Sequence, residues 1–114
     1  MKIFALKSCD ACKKAIRELR QIGHDPEIID VRKDGVSADE IAQFRSVFGE
    51  RLVNRRSTTW RRLSEAQKNE DPACLLARHP TLMKRPLILD DQGGMTLGWD
   101  DQTRQKILGL QRPD

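Results

Sequence analysis

A C-x-x-C motif set between a short apolar run and an amphipathic segment constrains this chain more than any other feature. Ile3 to Leu6 is apolar and leads straight into Lys7-Ser8-Cys9-Asp10-Ala11-Cys12, after which Ala15 to Ile22 carries helical periodicity. The order reads as strand, tight loop and helix, with both cysteines at the helix start. A sulfur placed there meets unpaired backbone N–H groups and the positive end of the helix dipole, which favour its thiolate. Lys7, Lys13 and Lys14 add positive charge nearby. Cys9 is therefore the candidate nucleophile. Cys12, one turn later on the same face, is the candidate to attack a mixed disulfide on Cys9 and release the product. Two other uses of the spacing stand beside this one: cysteines that merely pack, and half of a zinc site. A zinc site needs a second ligand pair, and Cys74, His24 and His79 do not supply the spacing.

The 114 residues suit one domain with one core. With 38% hydrophobic and 33% charged residues, the chain is polar but not disordered by composition. No apolar run nears the length of a membrane span, and the N-terminus lacks the pattern of a secretory signal. Three cysteines, an odd number, fit a reducing cytoplasm better than a secreted disulfide scaffold. The formal net charge of +4 permits an anionic partner without requiring one. Arg51, Arg55, Arg56, Arg61 and Arg62 form a basic patch beside Trp60, but no nucleic-acid-binding motif accompanies them.

The rest of the chain extends the pattern. Ala11, Ala15, Ile16, Leu19 and Ile22 predict one face of a helix from about Asp10 to Ile22, stopped by Gly23. Glu27 to Val31 predicts a second strand, parallel to the first through a right-handed crossover. Lys33-Asp34-Gly35 reads as a break. Ser37 and Glu40 form a capping box for a helix with Ile41, Phe44, Val47 and Phe48 on its apolar face. From Gly49 to about Pro80 the sequence is helix-rich. One short helix opens at Thr58 and continues through Leu63 and Ala66, and another follows Asp71, with Cys74 expected in the core. Pro86 to Asp90 and Gly94 to Gly98 predict a β-hairpin around Asp91-Gln92-Gly93-Gly94. Asp100 then caps a last helix, ended by Gly109. The assembled order is β-α-β-α, a helical insert at about 50–80, then β-β-α. That is an α/β, thioredoxin-like layout: one domain over residues 1–114 with a mixed four-stranded sheet flanked by helices. In such a layout the Arg85–Pro86 bond is expected to be cis and to lie beside Cys9.

Three stretches resemble the ArsC/Spx/YffB group, the arsenate-reductase-like branch of the thioredoxin superfamily. They are Lys7-Ser8-Cys9-Asp10 with Lys13-Lys14-Ala15, Leu52-Val53-Asn54-Arg55 followed by Thr58-Thr59-Trp60-Arg61-Arg62-Leu63, and His79 to Ile88. The central stretch is most similar to the YffB subgroup. The resemblance implies Cys9 as nucleophile, with Arg85 holding an anion against the thiolate. It implies Arg55 as a second active-site arginine, with Arg56 as its substitute where the spacing shifts; Lys13 and Pro86 complete the expected substrate contacts. Guanidinium groups bind oxyanions and carboxylates bidentately and favour an ionised thiol beside them.

Two departures bear on activity. Arsenate reductases of this branch carry a third arginine after the last hairpin, where this chain has Leu97-Gly98-Trp99-Asp100. YffB-like members typically lack the second cysteine, whereas Spx-like members have C-x-x-C. The expected activity is thus a cytoplasmic, monomeric thiol–disulfide oxidoreductase with no bound cofactor and glutathione as co-substrate. A true arsenate reductase and an Spx-like, redox-switched regulator that binds RNA polymerase are the alternatives.

Overall fold

The computed structural model describes residues 1–110. In chain order its elements are β1 (Lys2–Ala5), α1 (Asp10–Gln21), β2 (Glu27–Asp30), α2 (Val31–Asp34), α3 (Ala38–Phe48), α4 (Thr58–Arg62), α5 (Glu65–Lys68), α6 (Pro72–Arg78), β3 (Leu87–Leu89), β4 (Met95–Leu97) and α7 (Asp101–Leu110), with 3-10 turns at Gly49–Leu52 and Pro80–Leu82. Contacts divide these into a sheet unit, Met1–Asp30 with the chain from Arg85 onward, and a helical unit, Val31–Lys84.

In the sheet unit the strand order is β2-β1-β3-β4. β1 is central because it is apolar on both faces: Ile3, Phe4 and Ala5 are all buried. It runs parallel to β2, pairing Ile3 with Ile28, and antiparallel to β3, pairing Ile3 with Ile88. The parallel pair needs a crossover, which α1 supplies. β3 and β4 form the expected hairpin. Its turn is closed by the Asp90 carboxylate, whose Oδ1 accepts from the N–H groups of Gln92 at 2.9 Å and Gly94 at 2.7 Å. Gly94 leaves room for that carboxylate, since a Cβ there would collide with Asp90 Oδ2.

α1 lies on one face of the sheet. Cys12, Ala15 and Leu19 pack with Ile3, Ala5, Ile88 and Ile107 of α7 into one buried cluster. The buried stripe is therefore centred on positions 12, 15 and 19, spaced by one turn and then another. Two members of the expected face fall off it: Ala11 is exposed, and Ile22 is 41% exposed beyond the helix end. α7 starts where Asp100 Oδ1 accepts the Thr103 N–H at 2.8 Å, and it continues past Gly109 to Leu110. A glycine late in a helix lowers its stability without ending it.

In the helical unit α3 begins with the expected capping box. Ser37 Oγ accepts the Glu40 N–H at 3.1 Å and Glu40 Oε1 accepts the Ser37 N–H at 3.0 Å. α3 packs against α6, and Ile41, Phe44, Leu75 and Leu76 are buried. Val47, expected on the same face, is 55% exposed.

The structure departs from the sequence expectation at three further places. Lys33 and Asp34 do not simply break the chain; they finish the short helix α2 that starts at Val31. The helix from Thr58 does not run on to Ala66. Ser64 and Gln67 form a second capping box, which starts α5 afresh. Cys74 is exposed, because α6 turns Leu75 and Leu76 inward instead.

Candidate active site

The two cysteines occupy unequal positions on the same helix start. Cys9 N–H donates to Leu6 O at 2.9 Å, which tightens the loop after β1. Cys9 itself is the N-cap of α1, in an extended conformation, and its carbonyl accepts the Lys13 N–H at 3.1 Å. The cysteine side chain thus stands where Ser, Thr or Asp caps a helix by accepting from the third helical residue. That residue is Cys12. Cys9 Sγ makes no formal cap hydrogen bond, but the Cys12 N–H and thiol lie close enough to stabilise the ionised sulfur.

These neighbours set the acidity of the pair. Burial by itself would raise the Cys9 pKa. The nearby Cys12 thiol and backbone N–H, then the charge and hydrogen bond of Arg85, outweigh it and hold Cys9 below the ordinary thiol value of 9.0. Cys12 is 1% exposed. Burial, reinforced by the neighbouring Cys9 sulfur, pushes its thiol up to about 12. Cys9 is half-buried and reachable. Cys9 is thus the more acidic thiol, and Cys12 beside it is held protonated.

Arg85 is brought to Cys9, as that electrostatic contact requires, and the Arg85–Pro86 bond is cis. Pro86 is buried at the start of β3, with its carbonyl accepting the Gly98 N–H at 2.8 Å. Lys13 is exposed on α1 and lines a cleft beside Cys12. Arg55 and Arg56 belong to the helical unit. There the Arg55 guanidinium lies 5.7 Å from the Trp60 ring centroid, with Lys68 at 5.8 Å. Arg56 is exposed, and its N–H donates to Asn54 Oδ1 at 3.1 Å. Removing the charge beside Cys9 has a definite sign. Arg85→Ala is expected to raise the Cys9 pKa and slow its alkylation at neutral pH, with Arg85→Lys intermediate, as read from alkylation rate against pH.

One long-range contact on the cysteine-bearing helix was not foreseen from the sequence. Glu18, on α1, accepts from Trp99 Nε1 at 3.1 Å and from Arg104 Nε at 2.5 Å. Its side chain is only 13% exposed. Trp99 packs against the cluster that contains Cys12, so the carboxylate ties the loop after β4 and α7 to the cysteine-bearing helix. The only hint in sequence is that Glu18 sits one residue before the buried Leu19. Desolvation would raise the Glu18 pKa, but the Arg104 and Trp99 hydrogen bonds, then the charges of Arg104 and Lys14, lower it below the usual 4.5. The stabilisation is therefore complete above the ordinary glutamate range and is lost as pH falls through the lowered value. Glu18→Ala is expected to cost about 1–3 kcal/mol near neutral pH, measured by urea denaturation. The difference from wild type should shrink on acidification below the ordinary glutamate range.

Comparisons with known proteins bear on the fold and the family. An uncharacterized protein of Haemophilus influenzae is 38% identical over 108 residues, covering 90% of this chain and 94% of its own. An arsenate reductase (ArsC) related protein from Brucella melitensis matches with a TM-score of 0.69 and 31% identity, covering 95% of both chains. The YffB protein matches with a TM-score of 0.80 and 25% identity over 91% of this chain and 95% of its own. Among the described residues, no helix is long and apolar enough to cross a membrane. The ArsC family model spans residues 4–107, and the chain belongs to the ArsC family.

Proposed function

We propose that the protein is a small thiol-dependent oxidoreductase in which Cys9 is the nucleophile and Cys12 the resolving thiol. The observation that carries this reading is the inequality of the pair: an accessible Cys9 with a lowered pKa, and a buried Cys12 held protonated. The Cys9 thiolate attacks one sulfur of a disulfide. A Cys9–substrate disulfide forms, the substrate S–S bond breaks, and the leaving thiolate takes a proton from solvent. Cys12 then loses its proton and attacks Cys9 Sγ, releasing the second half of the substrate as a thiol. The protein is left with a Cys9–Cys12 disulfide. Two molecules of a low-molecular-weight thiol, glutathione in this proposal, reduce it again and leave as their own disulfide.

The Cys12 proton has a use in that sequence. A protonated Cys12 donates to the Cys9 thiolate while that sulfur is free. Once Cys9 is bonded to substrate its negative charge is gone, and one of the influences raising the Cys12 pKa goes with it. Arg85 favours the Cys9 thiolate and stands ready for an anionic group on the substrate. Lys13 is a further candidate for that group.

The test is reduction of hydroxyethyl disulfide by glutathione, followed through oxidised glutathione. Activity that depends on Cys9 supports the proposal. A protein that accumulates no mixed disulfide and turns over none overturns it. Arsenate in place of the disulfide asks whether an oxyanion also serves as electron acceptor.

A further inference from the structure

A second site lies along α1, on the flank facing β2. β2 is an edge strand, and Ile28 on it is 42% exposed. Its register partner Ile3 lies in the buried cluster under α1, so the face of the sheet is covered at β1 and left open at β2. The result is a cleft of about 480 Å³ whose apolar wall is made by Ala5, Leu6, Ile16 and Ile28, with Cys12 at one end. That volume lies in the range of small-molecule sites.

Its rim is cationic. Lys13, Arg17 and Arg20 follow one another at intervals of four and three residues along α1, and Lys7 adds a fourth positive charge at the C-x-x-C end. Asp30 is the one carboxylate in the lining. Among the described residues none of the four cations forms a salt bridge within the protein. Apolar floor and unneutralised basic rim select one ligand chemistry: an organic anion with an apolar body. We infer that this cleft binds a small amphipathic organic anion, its body on Ile16 and Ile28 and its charge against Arg17 and Arg20. The cleft shares Cys12 and Lys13 with the proposed oxidoreductase centre, but the contacts inferred here, Ile16, Ile28, Arg17 and Arg20, have no part in that reading.

Anilinonaphthalene sulfonate, an aromatic body with one negative charge, is a suitable probe; phenylnaphthylamine is its uncharged counterpart. Both are titrated into the isotope-labelled full chain and followed by amide NMR shifts. The sulfonate is expected to saturate, with shifts centred on residues 5–7, 12–20 and 28–30, and to bind at least about tenfold more tightly than the neutral amine. Arg17→Gln with Arg20→Gln should weaken the sulfonate about tenfold and leave the amine unchanged; Ile28→Ser should weaken both. The spectra themselves report whether each variant is folded. Shifts centred elsewhere, equal binding of both probes, or tighter binding of a purely acidic peptide would each overturn the inference.

Discussion

Cys9→Ser is expected to lower thiol-transfer turnover by at least about a thousandfold, with the fold intact. The serine hydroxyl stays protonated at neutral pH, and no S–S bond can form at that position. The substitution keeps the N-cap, because serine is a preferred residue there, so helix α1 should be as stable as before or slightly more so. Cys12→Ser should behave differently. It retains a hydrogen-bond donor toward Cys9 but removes the resolving sulfur, so the first attack proceeds and the mixed disulfide on Cys9 accumulates. Mass spectrometry of the trapped adduct distinguishes these outcomes. Full turnover in Cys9→Ser would remove Cys9 from the chemistry.

Leu19→Ala is expected to destabilise the protein by about 2–5 kcal/mol. Leu19 is fully buried in the cluster that joins α1 to β1, β3 and α7. Its neighbours there are parts of separate elements, so they cannot all collapse into the vacated space, which places the cost above the simple transfer of three carbons. Loss of this size is a large share of the 5–15 kcal/mol typical of a domain. The same helix carries Cys12 and Glu18, so the defect should also loosen Cys12. Chemical denaturation gives the first effect, and faster modification of Cys12 under native conditions gives the second.

Much of this fold could be read from local signals. Ile3 to Leu6 is apolar at every position, and a strand buried on both faces has to be central. The capping box of Ser37 and Glu40, the turn at Asp91 to Gly94 and the C-x-x-C at a helix start are short-range patterns whose physics is complete within a few residues. What sequence could not give was the choice among equivalent faces. Cys74 has apolar neighbours and was expected inside, yet α6 is so oriented that Leu75 and Leu76 take the interior. The first helix shows the same effect, its buried stripe running through Cys12 rather than Ala11. That shift makes the two sulfurs unequal. Glu18 lies 81 residues from Trp99 and 86 from Arg104, and nothing in the intervening chain announces that pairing. The basic rim of the cleft was equally hidden, because Lys7, Lys13, Arg17 and Arg20 read as an ordinary solvated surface until β2 is seen to lie uncovered beside them.

In the proposed mechanism Cys9, and not Cys12, is the activated thiol. The direct measurement is the rate of iodoacetamide alkylation against pH on the native protein, with each modified cysteine located by peptide mapping. Thiolate is the reactive form, so each rate rises with pH and levels off above that thiol's pKa. Cys9 is expected to react first, with a midpoint below the usual thiol value of 9.0, while Cys12 stays unmodified until far more alkaline pH. A Cys9 midpoint at or above that value, or Cys12 reacting ahead of Cys9, would contradict it.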